Sequence, residues 1–277
     1  MLKSGNDAAV ALAIHTCGSV EAFAEKMNQK AEEFGLQMTH FVTPHGLDQS
    51  DHYTTAYELA IITDQALKNP TIQKIVATKN YTIQINNQPV NIGNTNELLG
   101  YLEGVNGVKT GFTNGAGRCL VTSVKRGDME IISVVLGADS KKFRTTDSIK
   151  MIEYAYANYK NVDISETVQK EWESWYQMNQ KRIVIKQGKK DYLKMKMEPL
   201  SDSIVTMKKQ EDVEDLQIQI ITLNQVDAPI QKDKKVGYVK IKLGNTLLRD
   251  LDILVEETVE KKEYQDYLRE ILLNYLT

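Results

Sequence analysis

Between Gly104 and Leu136 the chain carries three strand-like runs separated by two short turns. Gly104 to Thr110 reads as the first strand and Arg118 to Lys125 as the second. Met129 to Leu136, apolar but for Glu130 and Ser133, is the third. Asn114 to Gly117 and Arg126-Gly127-Asp128 supply the turns. Strands joined this closely make an antiparallel meander. A helix is predicted to follow from Phe143 to Tyr159, with Ile149, Ile152, Tyr156 and Tyr159 on one face. At the end of the first strand stands Lys109-Thr110-Gly111. An ammonium and a hydroxyl sit side by side there, next to a glycine that lets a ligand come close. Alone the tripeptide is common, and a solvated strand end would account for it equally well.

Asp7 to Ile14 is filled with small and apolar residues after Asp7, a pattern that predicts a buried helix. Asp7 can cap that helix or favour its first turn through the helix dipole. Ser4-Gly5-Asn6 then lies on the turn that feeds it. A buried helix holds its leading turn rigidly, which suits a catalytic hydroxyl, yet Ser and Asn before a helix are also ordinary capping residues. A second helix is predicted from Val20 to Phe34, capped by Ser19 and ended by Gly35. Thr39 to Asp48 reads as a loop. His40, His45 and His52 lack the i, i+4 spacing of a helical metal site and no cysteine joins them, so no metal is expected. Thr54-Thr55 opens a helix with Ala56, Leu59, Ala60, Ile62 and Leu67 inward, and Pro70 begins a short one. Tyr81–Ile85 and Val90–Ile92 form a hairpin about Asn86-Asn87. Asn94 to Leu99 reads as a polar loop.

At 277 residues the chain is long enough for two domains, and its composition shifts after about Lys160. Asn161-Val162-Asp163 looks like a linker. Short strands are expected at 182–185, 192–197, 204–207, 216–222, 236–243 and 247–255, giving a small all-β domain with no convergent polar cluster. Glu257 to Thr277 reads as an amphipathic helix, with Tyr264, Tyr267, Leu268, Ile271, Leu272 and Tyr275 on one stripe. Such a stripe either lies on a membrane surface or packs on the β-domain. Five acidic residues against three basic ones in this stretch are the wrong balance for anionic lipid. A net charge of −3 gives no footprint of a nucleic-acid binder. Cys17 and Cys119 have neither metal nor redox spacing and read as buried thiols. No apolar run has the length of a membrane-spanning helix, and the first residues carry no signal-peptide pattern.

Two of three known triplets are present. Ser-x-x-Lys, Ser-x-Asn and Lys-Thr-Gly mark serine acyltransferases that open β-lactams and cleave D-alanyl peptides; Ser4-Gly5-Asn6 and Lys109-Thr110-Gly111 are the last two. With Pro44-His45-Gly46-Leu47, Thr54-Thr55-Ala56 and Phe112-Thr113-Asn114-Gly115-Ala116-Gly117, the chain resembles the serine-type D-alanyl-D-alanine carboxypeptidases. These are the low-molecular-weight penicillin-binding proteins of peptidase family S11. The resemblance is strong over residues 1 to about 160 and looser beyond. It implies an α+β, DD-peptidase/β-lactamase-like domain over 1–160 that lacks its N-terminal part. A β-rich domain over 161–256 and an amphipathic helix over 257–277 complete the expected layout.

The resemblance also implies roles. Ser4 would relay a proton, Asn6 would hold the substrate's peptide carbonyl, and Lys109 would order the Ser4 hydroxyl and draw the substrate carboxylate. Thr110 would hydrogen-bond that carboxylate beside Gly111. The Phe112 N–H would form half of an oxyanion hole. Arg144, otherwise an ordinary surface helix residue, would grip a free C-terminus with its fork. Peptidoglycan stem peptides and β-lactams are the implied partners, without a cofactor, on the outer face of the cytoplasmic membrane. No Ser-x-x-Lys is present, and the family places it well upstream of the Ser-Gly-Asn triplet. The sequence therefore reads as a truncated chain, inactive alone and poorly soluble for want of the helix that would cover Asp7–Ile14. A non-catalytic muropeptide-binding module is the alternative. A class A β-lactamase relative is disfavoured by the extra β-domain and by Ser-Gly-Asn in place of Ser-Asp-Asn.

Overall fold

The computed structural model describes residues 1–276. The predicted position of Tyr275 on the terminal stripe, a matter of its side chain, and that of Thr277 lie outside the described residues. The chain forms two compact units, Met1–Asn158 and Tyr159–Thr277.

The first unit is built on the meander. Strands β3 (Val105–Thr113), β4 (Gly117–Arg126) and β5 (Met129–Ala138) pair antiparallel in the order β3-β4-β5. They follow helices α1 (Asn6–Cys17), α2 (Val20–Glu33), α3 (Ala56–Leu67) and α4 (Pro70–Val76), and the hairpin β1 (Asn80–Ile85)–β2 (Gln88–Gly93). Both asparagines of that hairpin's turn, Asn86 and Asn87, have positive φ, the geometry a two-residue turn needs to match strand twist. Helix α5 (Lys141–Asn158) packs on β4 and β5, α3 on β5, and α4 on β3. The α4 contact is close: a Cβ at Gly107 would lie 3.0 Å from a Val76 methyl. The Tyr156 hydroxyl fastens α5 to the β4–β5 hairpin, sitting 2.7 Å from the Val124 carbonyl and 3.0 Å from that of Met129. Leu98, Leu120, Val124 and Ile152 are sealed from solvent.

Four expectations for this unit need correcting. Helix α1 is not a buried helix: among its residues only Ala13 is buried, and Leu12 and Ile14 are 62% and 50% exposed. Its Ala8–Ile14 run is apolar, which specifies a helix but not its burial, and its principal packing partner is α2. Helix α3 turns Glu58 and Thr63 inward and leaves Ala56 exposed. The Glu58 carboxylate accepts the Gln37 and Met38 N–H groups and the Thr39 hydroxyl. Those bonds, Thr39's foremost, hold its carboxyl below the usual glutamate range. Tyr159 lies past the end of α5. Cys17 and Cys119 are both free, and half-buried rather than buried.

The second unit is not all-β. It opens with β6 (Tyr159–Asp163) in place of the expected linker, paired antiparallel with β9 (Ile204–Lys208). Helix α6 (Ser165–Asn179) follows. Its charged residues hide a helical repeat in which Val168, Trp172 and Asn179 face inward, with Trp172 stacked on Trp175 and Tyr176. Such a repeat, four and seven residues apart, outweighs β-branched content. A parallel pair joins β7 (Val184–Lys186) to β11 (Gln225–Asp227). The main sheet takes β8 (Met195–Met197), β10 (Leu216–Thr222), β12 (Lys235–Leu243) and β13 (Thr246–Val255), in the order β10-β12-β13-β8. Alternate residues of β12 and β13, such as Val239, Ile241 and Ile253, fill its core with Trp172. Helix α7 (Tyr264–Leu276) closes the chain.

Candidate active site

Six segments of the first unit meet around a cleft of about 490 Å³. Ser4, Asn6, Lys109, Thr110, Gly111, Phe112 and Arg144 all line it. The fold thus brings together every residue that the sequence singled out, across a hundred and forty positions.

Ser4 enters from the leader. Its N–H donates to the Met1 carbonyl at 3.0 Å, and its φ of 58° is a left-handed value costly for a residue with a side chain. The N-cap of α1 is Gly5, which has no side chain to cap with, and in the first turn it is the Asp7 carboxylate that accepts an N–H, from Ala8 at 2.9 Å. Capping therefore does not explain Ser4, whose hydroxyl has no hydrogen bond among the described residues. Asn6 begins α1. The leader is placed by its neighbour: the Leu2 carbonyl accepts the Thr95 N–H at 3.1 Å.

The Asn94–Leu99 loop does more than its sequence suggested. Asn96 is buried, donates to the Gly107 carbonyl at 2.9 Å and accepts the Leu98 N–H at 3.1 Å. This fixes the loop along β3, so that the Thr95 and Thr110 hydroxyls lie 2.7 Å apart. Lys109 donates to the Thr110 carbonyl at 2.6 Å. Among the described residues it makes no hydrogen bond to Ser4, contrary to the ordering role expected for it. Burial lowers its pKa below the ordinary lysine value. A Cβ at Gly111 would meet Cys119 at an ordinary 3.5 Å, so sheet packing does not demand a glycine there.

Ser140 caps α5 through the Phe143 N–H at 3.2 Å and so sets the turn that carries Arg144. Arg144 is only 3% exposed, not a surface residue. Its Nη2 donates to Glu97 Oε1 at 2.6 Å, and the Thr145 hydroxyl donates to the same oxygen at 2.5 Å. Burial pushes the Glu97 carboxyl up, but the bonds from Thr145 and Arg144 and the Arg144 charge outweigh it and hold it below the usual range.

Sequence reasoning missed Arg118, Thr95 and Lys141, which also line the cleft. Arg118 stacks on the Phe112 ring at 3.7 Å, and register pairing across β3 and β4 places them opposite. Only the pairing, not the local sequence, could have pointed to it. Lys109, Arg118, Lys141 and Arg144 give the wall four cations, of which Arg144 is paired with Glu97, and no Asp or Glu is among the described residues that line it. A chain of net negative charge thus presents a positive cleft, suited to an anion. His52, one of the three histidines, accepts the Val42 N–H at 3.0 Å through Nδ1. Among the described residues no group of three or more His, Cys, Asp or Glu could hold a metal.

The architecture is that of the DD-peptidases followed by a β-rich domain. The crystal structure of penicillin binding protein 5 from Haemophilus influenzae superposes with a TM-score of 0.73 at 30% identity, over 93% of this chain and 72% of that one. A family model for D-alanyl-D-alanine carboxypeptidase, peptidase S11, matches residues 1–140, and one for the penicillin-binding protein 5 C-terminal domain matches residues 173–261. The chain therefore belongs to the D-alanyl-D-alanine carboxypeptidase family S11. It is 34% identical over 272 residues to the D-alanyl-D-alanine carboxypeptidase DacF of Bacillus subtilis, covering 97% of this chain and 66% of the relative. To DacA of Haemophilus influenzae it is likewise 34% identical, covering 94% and 63%. The chain spans just under two thirds of the length of these relatives.

Proposed function

We propose that the cleft serves the reaction named for the family: removal of the terminal D-alanine from peptidoglycan stem peptides through an acyl-serine. The observation that carries this reading is the convergence of Ser4, Asn6, Lys109, Thr110 and Arg144 on one cationic cleft. A terminal carboxylate is the part of such a peptide that four cations would draw in, and β-lactams carry the same group. Phe112 N–H remains the proposed oxyanion donor and Asn6 the holder of the peptide carbonyl.

Acyl transfer also needs a serine activated by a base. No serine among the 277 residues is followed three positions later by lysine. The 277-residue polypeptide by itself should therefore bind D-alanyl peptides without acylating. The same observation favours a second reading, a non-catalytic muropeptide-binding module. Calorimetric titration with a peptide ending in D-alanyl-D-alanine, and with its C-terminal amide, tests the binding half: only the free acid should bind. Equal affinities would discard the carboxylate reading. Incubation with a fluorescent penicillin should leave no covalent band on a denaturing gel, and a band would overturn the claim of inactivity.

A peptidoglycan substrate implies work on the outer face of the cytoplasmic membrane, and α7 is the proposed contact with that membrane. Its stripe is not packed away: Ile271 and Leu272 are each more than half exposed, while Lys189 and Lys262 pair with acidic residues on its polar side. Among the described residues no helix is long and apolar enough to cross a membrane. The expected result is flotation with neutral liposomes that is lost when residues 257–277 are removed. Retention after removal would refute the contact.

A further inference from the structure

We infer that Glu97 is an internal competitor for the substrate carboxylate, a specificity-determining residue that occupies Arg144 until a ligand displaces it. The inference rests on the reading of the cleft as a carboxylate site. Arg144 is the most buried cation on the cleft wall, and its guanidinium has a side-on fork made of Nε and Nη2. A carboxylate fitted to that fork accepts from both. Glu97 takes only Nη2, at 2.6 Å. Nε is buried and has no hydrogen-bond partner among the described residues. Half of the fork is therefore unsatisfied, at a cost a bidentate carboxylate would relieve.

Glu97 is built to let go. Its side chain is 44% exposed against 4% for Arg144, so it can swing to water while the arginine stays. The Thr145 hydroxyl shares its Oε1 and tethers it close by. A ligand anion must outcompete this tether, which lowers affinity and rejects anions that can make only one hydrogen bond. Lys109, Arg118 and Lys141 contribute charge to the same wall, but among the described residues none of them pairs with a carboxylate.

The test compares the 277-residue protein with Glu97→Gln, which keeps the shape and removes the charge. Acetate is titrated while the Arg144 Nε–H signal is followed by nuclear magnetic resonance, the signal being assigned by its loss in Arg144→Lys. Acetate should bind Glu97→Gln roughly fivefold more tightly, at the lower end of typical coupling between sites. Thr145→Val, which loosens the tether and leaves both charges, should move affinity the same way by less, and covers the case of a Glu97→Gln protein that does not fold. Unchanged or weaker binding in the folded variants, or an Arg144 signal that ignores acetate throughout, would overturn the inference and leave Glu97 a structural anchor. Peptides with free and amidated D-alanyl termini are titrated in parallel. If they bind alike while acetate still prefers Glu97→Gln, the D-alanyl reading fails and the competitor role stands.

Discussion

Lys109→Ala should reduce binding of a peptide with a free D-alanyl-D-alanine terminus by about 10- to 100-fold, the equivalent of roughly 1.5–3 kcal/mol for hydrogen bonds to a charged group. The reasoning is electrostatic. Lys109 lines the cleft, its Nζ sits 2.6 Å from the Thr110 carbonyl, and among the described residues no acidic side chain pairs with it. Its charge is therefore free to act on a ligand. Partial burial strengthens that action, because fewer waters screen it. The amidated peptide, already weak, should lose little. Lys109→Met keeps the aliphatic stem and should behave as the alanine variant does, which separates charge from packing. The free-acid peptide should also dissociate as pH rises through the Lys109 pKa. Burial places that value below an ordinary lysine's, so the loss comes earlier than for a solvated side chain. Affinity within twofold of the unsubstituted protein would remove Lys109 from the carboxylate site.

Leu120→Ala should destabilise the first unit by about 2–5 kcal/mol, the usual cost of a leucine deleted from a well-packed core. Leu120 is fully buried at the centre of β4, opposite Thr110 on β3 and Val135 on β5. It is the point at which the meander's packing supports the strand that carries Lys109 and Thr110. Both tryptophans, Trp172 and Trp175, lie in the second unit. Urea unfolding followed by tryptophan fluorescence should therefore stay put, while the circular dichroism transition of the first unit moves to lower urea. Movement of both transitions together would mean that the units do not unfold independently. A loss below about 1 kcal/mol would show that the site can collapse around the cavity.

Where local chemistry decides the outcome, the sequence alone was enough. Short turns between apolar runs dictated β3-β4-β5. Ser19, Thr55 and Asn69 each cap a helix through side-chain oxygens, and the paired asparagines turn β1 into β2. The Ser-Gly-Asn and Lys-Thr-Gly triplets identified the family because acyl transfer fixes residue types at fixed places. The α6 helix was also written in the sequence, as Val168, Trp172 and Asn179 at helical spacing, but the charged and β-branched segment around it reads as all-β, and no element is expected over residues 164–181.

Tertiary structure decided the rest, because it depends on which elements cover which faces. An apolar run such as Ala8–Ile14 specifies a helix but not its burial, and α1, packed chiefly on α2, leaves Leu12 and Ile14 at least half exposed. Glu58 was not among the inward residues expected of α3, and it is buried because the Gln37 and Met38 N–H groups and the Thr39 hydroxyl donate to it. The cleft is the clearest case. Arg118 reaches Phe112 only through strand pairing, Thr95 reaches Thr110 only because Asn96 is anchored on Gly107, and Arg144 meets Glu97 across 47 positions. Lys109-Thr110-Gly111 supplied the cation and the hydroxyl from its sequence. The company it keeps was set by long-range pairing, whose partners carry no local signal.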